Sequence, residues 1–236
     1  WVSLVDKPTP VYDIGAVVMG GKIYVPGGKT TGEKITSSLE IYDLRRGAWE
    51  TGPQMPVGLS AYSIASIEGR IYLFGGWDGE SFRDSVWMYD PYAGFWHEKP
   101  PLPSPRGYAG AAVVGGNIYV LGGYDGKKPL NTNLIYTPAH EEEKSSPWKR
   151  GAPLPSGRYG MGATGIADII EVVGGFQENK LLPTSLSYFA LNDTWYEFEP
   201  LAETPIGGIA IAPLGNSIFI FGGKQDDRPV DQSMSY

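Results

Sequence analysis

The sequence predicts an all-β chain assembled from five copies of one four-stranded unit, and three observations predict it. First, an apolar run ending in a diglycine occurs five times, at Ile23–Gly28, Ile71–Gly76, Ile118–Gly123, Ile169–Gly175 and Ile218–Gly223. The first glycines stand at 27, 75, 122, 174 and 222, giving steps of 48, 47, 52 and 48, and a near-constant period in this range marks a repeat architecture. Second, a tyrosine recurs at Tyr42, Tyr89, Tyr136, Tyr188 and Tyr236. Third, a tryptophan recurs at Trp1, Trp49, Trp96, Trp148 and Trp195.

Each copy reads as four short extended segments bounded by turn residues. In the first copy they are Ile14–Val18, Lys22–Pro26, Ser38–Asp43 and Ala48–Thr51. In the second they are Tyr62–Ile67, Arg70–Phe74, Ser85–Asp90 and Phe95–Glu98. Two-residue links join the first pair of segments: Gly20-Gly21, Glu68-Gly69, Gly115-Gly116 and Gly215-Asn216. Such links suit tight hairpins, whose positive φ glycine adopts at little cost. The fourth copy has Ala167-Asp168 there, which predicts a looser or shifted turn. The 52-residue step places extra residues between Tyr136 and Trp148, and this stretch around His140 has the composition of a solvated loop.

Composition narrows the function. The 236 residues include 42% hydrophobic and 19% charged residues, enough to bury a core. The 33 glycines and 20 prolines recur in register, which argues for turn-rich β structure over disorder. The charge of −7 comes from 19 Lys+Arg against 26 Asp+Glu without a basic run, so no nucleic acid is expected as partner. No apolar stretch approaches the length that spans a bilayer. The absence of cysteine excludes disulfides, thiol catalysis and thiolate metal sites, and leaves the compartment undefined. The chain starts at Trp1 with neither a methionine nor a signal peptide, and reads as a mature or excised segment.

Four-stranded units at this period, with their diglycines, tyrosines and tryptophans, resemble the blades of the kelch-repeat β-propeller family. The resemblance covers residues 1–236 as a single five-bladed domain. It implies that the glycines let neighbouring sheets approach closely, and that the tyrosine and tryptophan pack between blades. Glycine permits close backbone approach and a buried aromatic supplies a large apolar area, so the physical reading agrees. Because the chain opens on a fourth-strand tryptophan and closes on a third-strand tyrosine, residues 1–4 are expected to pair with the sheet holding Tyr236 and seal the ring.

Alternation along such a meander puts the second-to-third loops and the links between blades at one end. Following the five diglycines there are Lys29, Trp77, Tyr124, Phe176 and Lys224. Upstream of them, at a second equivalent position, stand Val11, Leu59, Arg106, Arg158 and Ile206. The next position holds Tyr12, Ser60, Gly107, Tyr159 and Gly207. These sets are expected to form rings around one mouth. Aromatics and arginines dominate binding hot spots, and arginine forks suit carboxylates. The expected function is a non-catalytic protein- or peptide-binding scaffold. Its site would comprise Trp77, Tyr124, Phe176, Arg106, Arg158, Lys29, Lys224, Tyr12, Ser60 and Tyr159. Its partner would be a protein, an acidic peptide or a carboxylate-bearing sugar, and the chain itself a monomer. The resemblance also implies an acidic-peptide face of the kind kelch adaptors of ubiquitin ligases use, since Arg106, Arg158, Ser60, Tyr124 and Trp77 fall at matching repeat positions.

The alternative is a sugar-active enzyme of the sialic acid mutarotase type, with Glu33, Glu80 and Glu178 on the right loops. A specifier-type propeller holding iron through carboxylates is a third reading. No catalytic residue, cofactor or metal ligand is assigned. Two histidines, His97 and His140, define no nucleophilic triad. No phosphate-binding G-x-x-x-x-G-K-[ST] is present, and Asp78-Gly79 and Asp125-Gly126 read as turn pairs.

Overall fold

A computed structural model describes residues 2–141, 145–198, 205–225, 228–231 and 233–236. It is all-β apart from a 3-10 turn at Pro138–His140, and its antiparallel sheets follow one another along the chain as the repeat predicts. No helix among the described residues is long and apolar enough to cross a membrane. The chain divides into two compact units, residues 1–107 and 108–236.

The first unit holds two four-stranded sheets. One is Val17–Met19, Lys22–Pro26, Leu39–Asp43 and Ala48–Thr51; the other is Ser63–Ile67, Arg70–Phe74, Val86–Asp90 and Phe95–Lys99. In the second unit the third sheet is Gly110–Val114, Asn117–Leu121, Asn133–Tyr136 and Trp148–Gly151. The fourth is Gly162–Ile166, Ile169–Val173, Ser185–Phe189 and Thr194–Phe198. The fifth has three strands among the described residues: Ala210–Leu214, Ser217–Phe221 and Ser233–Ser235.

The second strand of each sheet is where the core concentrates. Ile71, Tyr72, Leu73 and Phe74 are all buried, as are Ile118, Tyr119, Val120 and Leu121. A short continuous apolar run is what a strand covered on both faces requires. Four of the five recurring tyrosines lie directly across from a tryptophan on the third and fourth strands: Tyr42↔Trp49, Tyr89↔Trp96, Tyr136↔Trp148 and Tyr188↔Trp195. Their ring centroids are 4.7–5.2 Å apart, within the range of favourable aromatic pairs. The indole N–H then reaches back to an earlier link, from Trp96 to the Pro53 carbonyl at 3.1 Å and from Trp195 to the Ala152 carbonyl at 2.8 Å. One side chain thus pairs within its own sheet and ties to the link after the preceding one.

Two expectations are corrected. The N-terminal strand expected over residues 1–4 is not formed by the described part of that segment. Val2, Ser3 and Leu4 lie in no strand and are exposed; Trp1 is outside the described residues. The chain that follows is held against the first sheet instead. The Trp49 indole donates to the Val5 carbonyl at 3.1 Å, and Lys7 pairs with the Glu40 carboxylate, to which Thr9 Oγ1 also donates at 2.7 Å. Glu40 is buried, and a buried carboxylate must be met by a cation and donors, so these partners commit the arm to that sheet. The turn at Ala167-Asp168 is not looser. Ile166 pairs with Ile169 across the same two-residue link as elsewhere, because Ala167 itself adopts φ 53°, close to the 62° of Gly215. The loop after Tyr136 folds back at its start, where Glu141 Oε1 accepts from the Tyr136 hydroxyl at 2.9 Å; residues 142–144 lie outside the described ones.

Candidate functional site

In four of the five copies the residue after the diglycine pairs with the residue expected to form the neighbouring ring. Tyr12 pairs with Lys29 in a two-residue ribbon. Ser60 and Trp77 exchange backbone N–H···O bonds of 2.9 and 2.7 Å, Tyr159 and Phe176 bonds of 3.1 and 2.7 Å, and Gly207 and Lys224 bonds of 3.2 and 2.8 Å. What the sequence separates into two rings is one set of pairs, and their backbone is largely spent. The chemistry left to this face belongs to side chains.

Immediately upstream of each pair lies a seam. The carbonyls of Leu59, Arg106, Arg158 and Ile206 accept from the second glycine of the preceding diglycine, Gly28, Gly76, Gly123 and Gly175, at 2.8–2.9 Å. A further link lies two residues beyond each of these carbonyls. Gly160 N–H donates to the Tyr108 carbonyl at 2.8 Å, Gly208 to Gly160 at 2.7 Å, and Ala61 to Asp13 at 2.7 Å. All five of these residues have positive φ, 51–64°, a conformation that is costly for a bulky side chain. Tyr108, at φ 56°, is the large one among them, and its ring is half-buried.

Arg106 and Arg158 are not surface residues. Each is 1% exposed, and they are the largest fully buried side chains among the described residues. The Arg158 guanidinium donates to the carbonyls of Gly174 and Thr184 at 3.3 and 3.2 Å, and to Thr184 Oγ1 at 3.0 Å. Burial brings its pKa down to about 10, so it stays charged at neutral pH. Arg106 donates to Ser104 Oγ at 2.9 Å. The expectation of an arginine ring open to carboxylates is therefore corrected: burial turns these guanidinium groups to nearby carbonyls and hydroxyls, although the buried Arg158 Nε is met by no acceptor among the described residues. A sequence signal for this exists in Leu102-Pro103-Ser104-Pro105-Arg106 and Leu154-Pro155-Ser156-Gly157-Arg158, where a hydroxyl stands two residues before each arginine. Ser60 is buried as well.

Lys29 is half-buried, tied to Glu33 and placed 5.5 Å from the centroid of the Tyr12 ring, while the Tyr12 hydroxyl also donates to Glu33. The two donors, Lys29 first, hold the Glu33 carboxyl below the usual range. Glu80, Glu178 and Lys224 are exposed. Asp78 and Asp125 each accept two backbone N–H groups at 2.8 Å from the residues two and three ahead, so both shape turns. No group of three or more acidic or histidine side chains with metal-holding geometry occurs among the described residues. The carboxyl that burial pushes up is Glu171, on the second strand of the fourth sheet, accepting from Ser187 Oγ at 2.6 Å.

The aromatics converge. Within residues 108–236, Tyr159 is a hub, its centroid 5.3 Å from Tyr124, 5.5 Å from Phe176 and 6.3 Å from Tyr108. All four rings are half-buried. Within residues 1–107, Trp77 meets Phe82 edge-on at 5.0 Å. Tyr108 and Phe82 were not among the residues read from sequence. Tyr108 stands at the positive-φ position that Asp13, Ala61, Gly160 and Gly208 occupy elsewhere, and an aromatic in that company was the available signal. Glycine opposite the rings makes room: a Cβ on Gly207 would run into Phe176 and Leu181.

Comparison with known proteins follows the same lines. A family model described as the KLHDC2/KLHL20/DRC7 Kelch-repeats domain matches residues 3–175. Kelch-like protein 40 of Xenopus laevis is 35% identical over 77 residues, 32% of this chain and 12% of that protein. The F-box/kelch-repeat protein At5g39560 of Arabidopsis thaliana is 38% identical over 76 residues, 31% of this chain and 18% of that protein. The matches thus span less than a fifth of these relatives' lengths. A solved structure described as "Structure of YjhT" superposes with a TM-score of 0.85 at 16% identity, over 99% of this chain and 83% of that one, and shows a shared fold.

Proposed function

This chain belongs to the kelch-repeat family, and from that premise we propose that it is a non-catalytic module that binds a protein or peptide through the aromatic cluster around Tyr159. Kelch propellers are typically protein-interaction scaffolds. The observation that carries the reading is the hub itself: four half-buried rings meet on a loop face whose backbone groups are already paired. Tyrosine supplies large contact area at low entropic cost, which is why it concentrates at binding hot spots. Trp77 with Phe82 offers a smaller patch of the same kind in the first unit. Acidic-peptide and sugar-carboxylate binding lose the support of Arg106 and Arg158, whose guanidinium groups are buried. The mutarotase alternative rested on those same arginines, so no observation now favours it.

The test is a paired substitution. Tyr124→Ala with Tyr159→Ala is expected to abolish capture of the partner that the parent chain retains, by ten-fold or more, while the variant still melts cooperatively. Undiminished capture by a folded double variant would exclude this face.

A further inference from the structure

We propose that residues 5–9 form a charge-operated latch, an arm that rides on the first sheet through the buried Lys7–Glu40 pair and lifts from it without the later links opening. The inference stands apart from the binding role proposed above and rests on a comparison of equivalent positions.

Lys7 stands six residues after Trp1, as Met55, Leu102 and Leu154 stand six after Trp49, Trp96 and Trp148. Glu40 stands two before Tyr42, as Trp87, Leu134 and Leu186 stand two before Tyr89, Tyr136 and Tyr188. In the later copies these positions make apolar plugs. Met55 packs in one cluster with Trp87 and Leu154 in one with Leu186, while Leu102 and Leu134 are buried as well. Ahead of the first sheet an ion pair takes the place of the plug. The geometry of the link is otherwise kept. The Trp49 indole donates to Val5, four residues after Trp1, at 3.1 Å, as the Trp96 indole donates to Pro53, four residues after Trp49, at 3.1 Å.

The hold on the arm converges on one carboxylate. Glu40 accepts from Lys7 Nζ and from Thr9 Oγ1, the latter at 2.7 Å, and Lys7 Nζ also donates to the Thr9 carbonyl at 2.7 Å. Residues directly opposite each other share a face, so Val25 and Thr51 flank Glu40, with Tyr42 and Trp49 on the same side. Lys22, Asp43 and Glu50 lie on the other face, and Asp6 is exposed. Among the described residues Lys7 is thus the cation that answers Glu40. A buried charge left without its partner is strongly destabilising, so this seam depends on ionisation where the apolar seams do not.

Burial pushes the Glu40 carboxyl up, and Lys7 and Thr9 more than offset this, holding it below the usual carboxylate range. A lowered folded value gives a contribution that is present above the unfolded pKa and lost as pH falls through the folded one. The latch is therefore closed at neutral pH and opens in strong acid. Removing Lys7 inverts the sign. Burial then outweighs what Thr9 supplies and raises the carboxyl, so the arm lifts at neutral pH and settles again once Glu40 is protonated.

The test follows hydrogen exchange of the Trp49 and Trp96 indole N–H groups by NMR in the 236-residue chain, read as protection factors. Trp96 is the control, since its link is closed by Met55. In Lys7→Met the protection of Trp49 is expected to fall by about ten-fold or more relative to Trp96 at pH 7, and to recover at pH 4. Lys7→Met combined with Glu40→Leu rebuilds the plug of the later copies and should keep the parent's ratio at both pH values. An unchanged ratio in Lys7→Met at pH 7 overturns the proposal. So does an equal loss at both indoles, which would make the opening global, a loss that acid does not reverse, or a double variant as open as the single one.

Discussion

Gly75 and Gly222 occupy the same place in the repeat, yet they face different demands. Both have positive φ, 62° and 59°. At Gly75 an added Cβ would overlap the carbonyl oxygen of Arg106, and at Gly122 it would lie 2.5 Å from the Arg158 oxygen. At Gly222 the nearest heavy atom among the described residues is Val230 O at 3.6 Å, an ordinary contact. The turn within a sheet asks for a left-handed residue wherever the motif occurs. The close approach is asked only where a following link lays its carbonyl over the glycine. A repeated motif can thus be structurally unequal along one chain.

The sharpest way to break this comparison is to put alanine at both sites. Gly75→Ala should cost about 2–5 kcal/mol, since it pays both the left-handed strain and an overlap with backbone that cannot yield. Gly222→Ala should cost only the strain, about 1–2 kcal/mol. Denaturant unfolding of the two variants reads the difference, and equal losses would remove the seam from the explanation.

Arg158 sharpens it next, because its carbonyl receives Gly123 while its guanidinium holds Gly174, the first glycine of the following copy. Leu59 and Ile206 fill the equivalent position, so Arg158→Leu supplies comparable apolar bulk and removes only the donors. It should cost about 2 kcal/mol through carbonyls left without a partner. A melt identical to the parent's would mean that the guanidinium contributes nothing to the seam.

The smallest effect is expected at Glu171. Tyr24, Tyr72, Tyr119 and Phe219 stand at its position in the other copies, and it shares a face with Thr164, Ser187 and Val173 without a cation. Burial raises its carboxyl above the unfolded value, opposed by the Ser187 bond. A raised carboxyl pKa means the folded state prefers the protonated form. That contribution to stability is complete below the unfolded value and is lost as pH rises through the folded one. Glu171→Gln should therefore gain on the order of 1 kcal/mol at pH 7 and nothing at pH 3. A gain that does not change with pH would refute the assignment.

Much of this was legible beforehand, and the reason is geometric. Period-2 alternation and turn glycines act locally, so strands such as Lys22–Pro26, Arg70–Phe74 and Ala48–Thr51 emerge with the residues read from sequence. Ala167 misled because propensity ranks alanine low at positive φ, whereas the ladder on both sides of the link holds it there. The arginines misled for a different reason. Position in a repeat says where a Cα lies but not which way a long side chain runs, and a guanidinium can turn outward to solvent or inward to carbonyls. The N-terminal arm misled because in-phase ends permit a strand without requiring one: Val2–Leu4 form none, and Lys7 beyond them is held by Glu40.

By itself, then, the sequence determined the all-β class, the five copies and the family. These follow from spacing, which survives any detail of packing. Only the tertiary structure decided that the two expected rings are one set of bonded pairs, that Arg106 and Arg158 face inward, and that Tyr108 joins the aromatic hub. Each of those outcomes depends on which groups remain unpaired once the sheets are in contact, and that balance is struck between residues far apart in the chain.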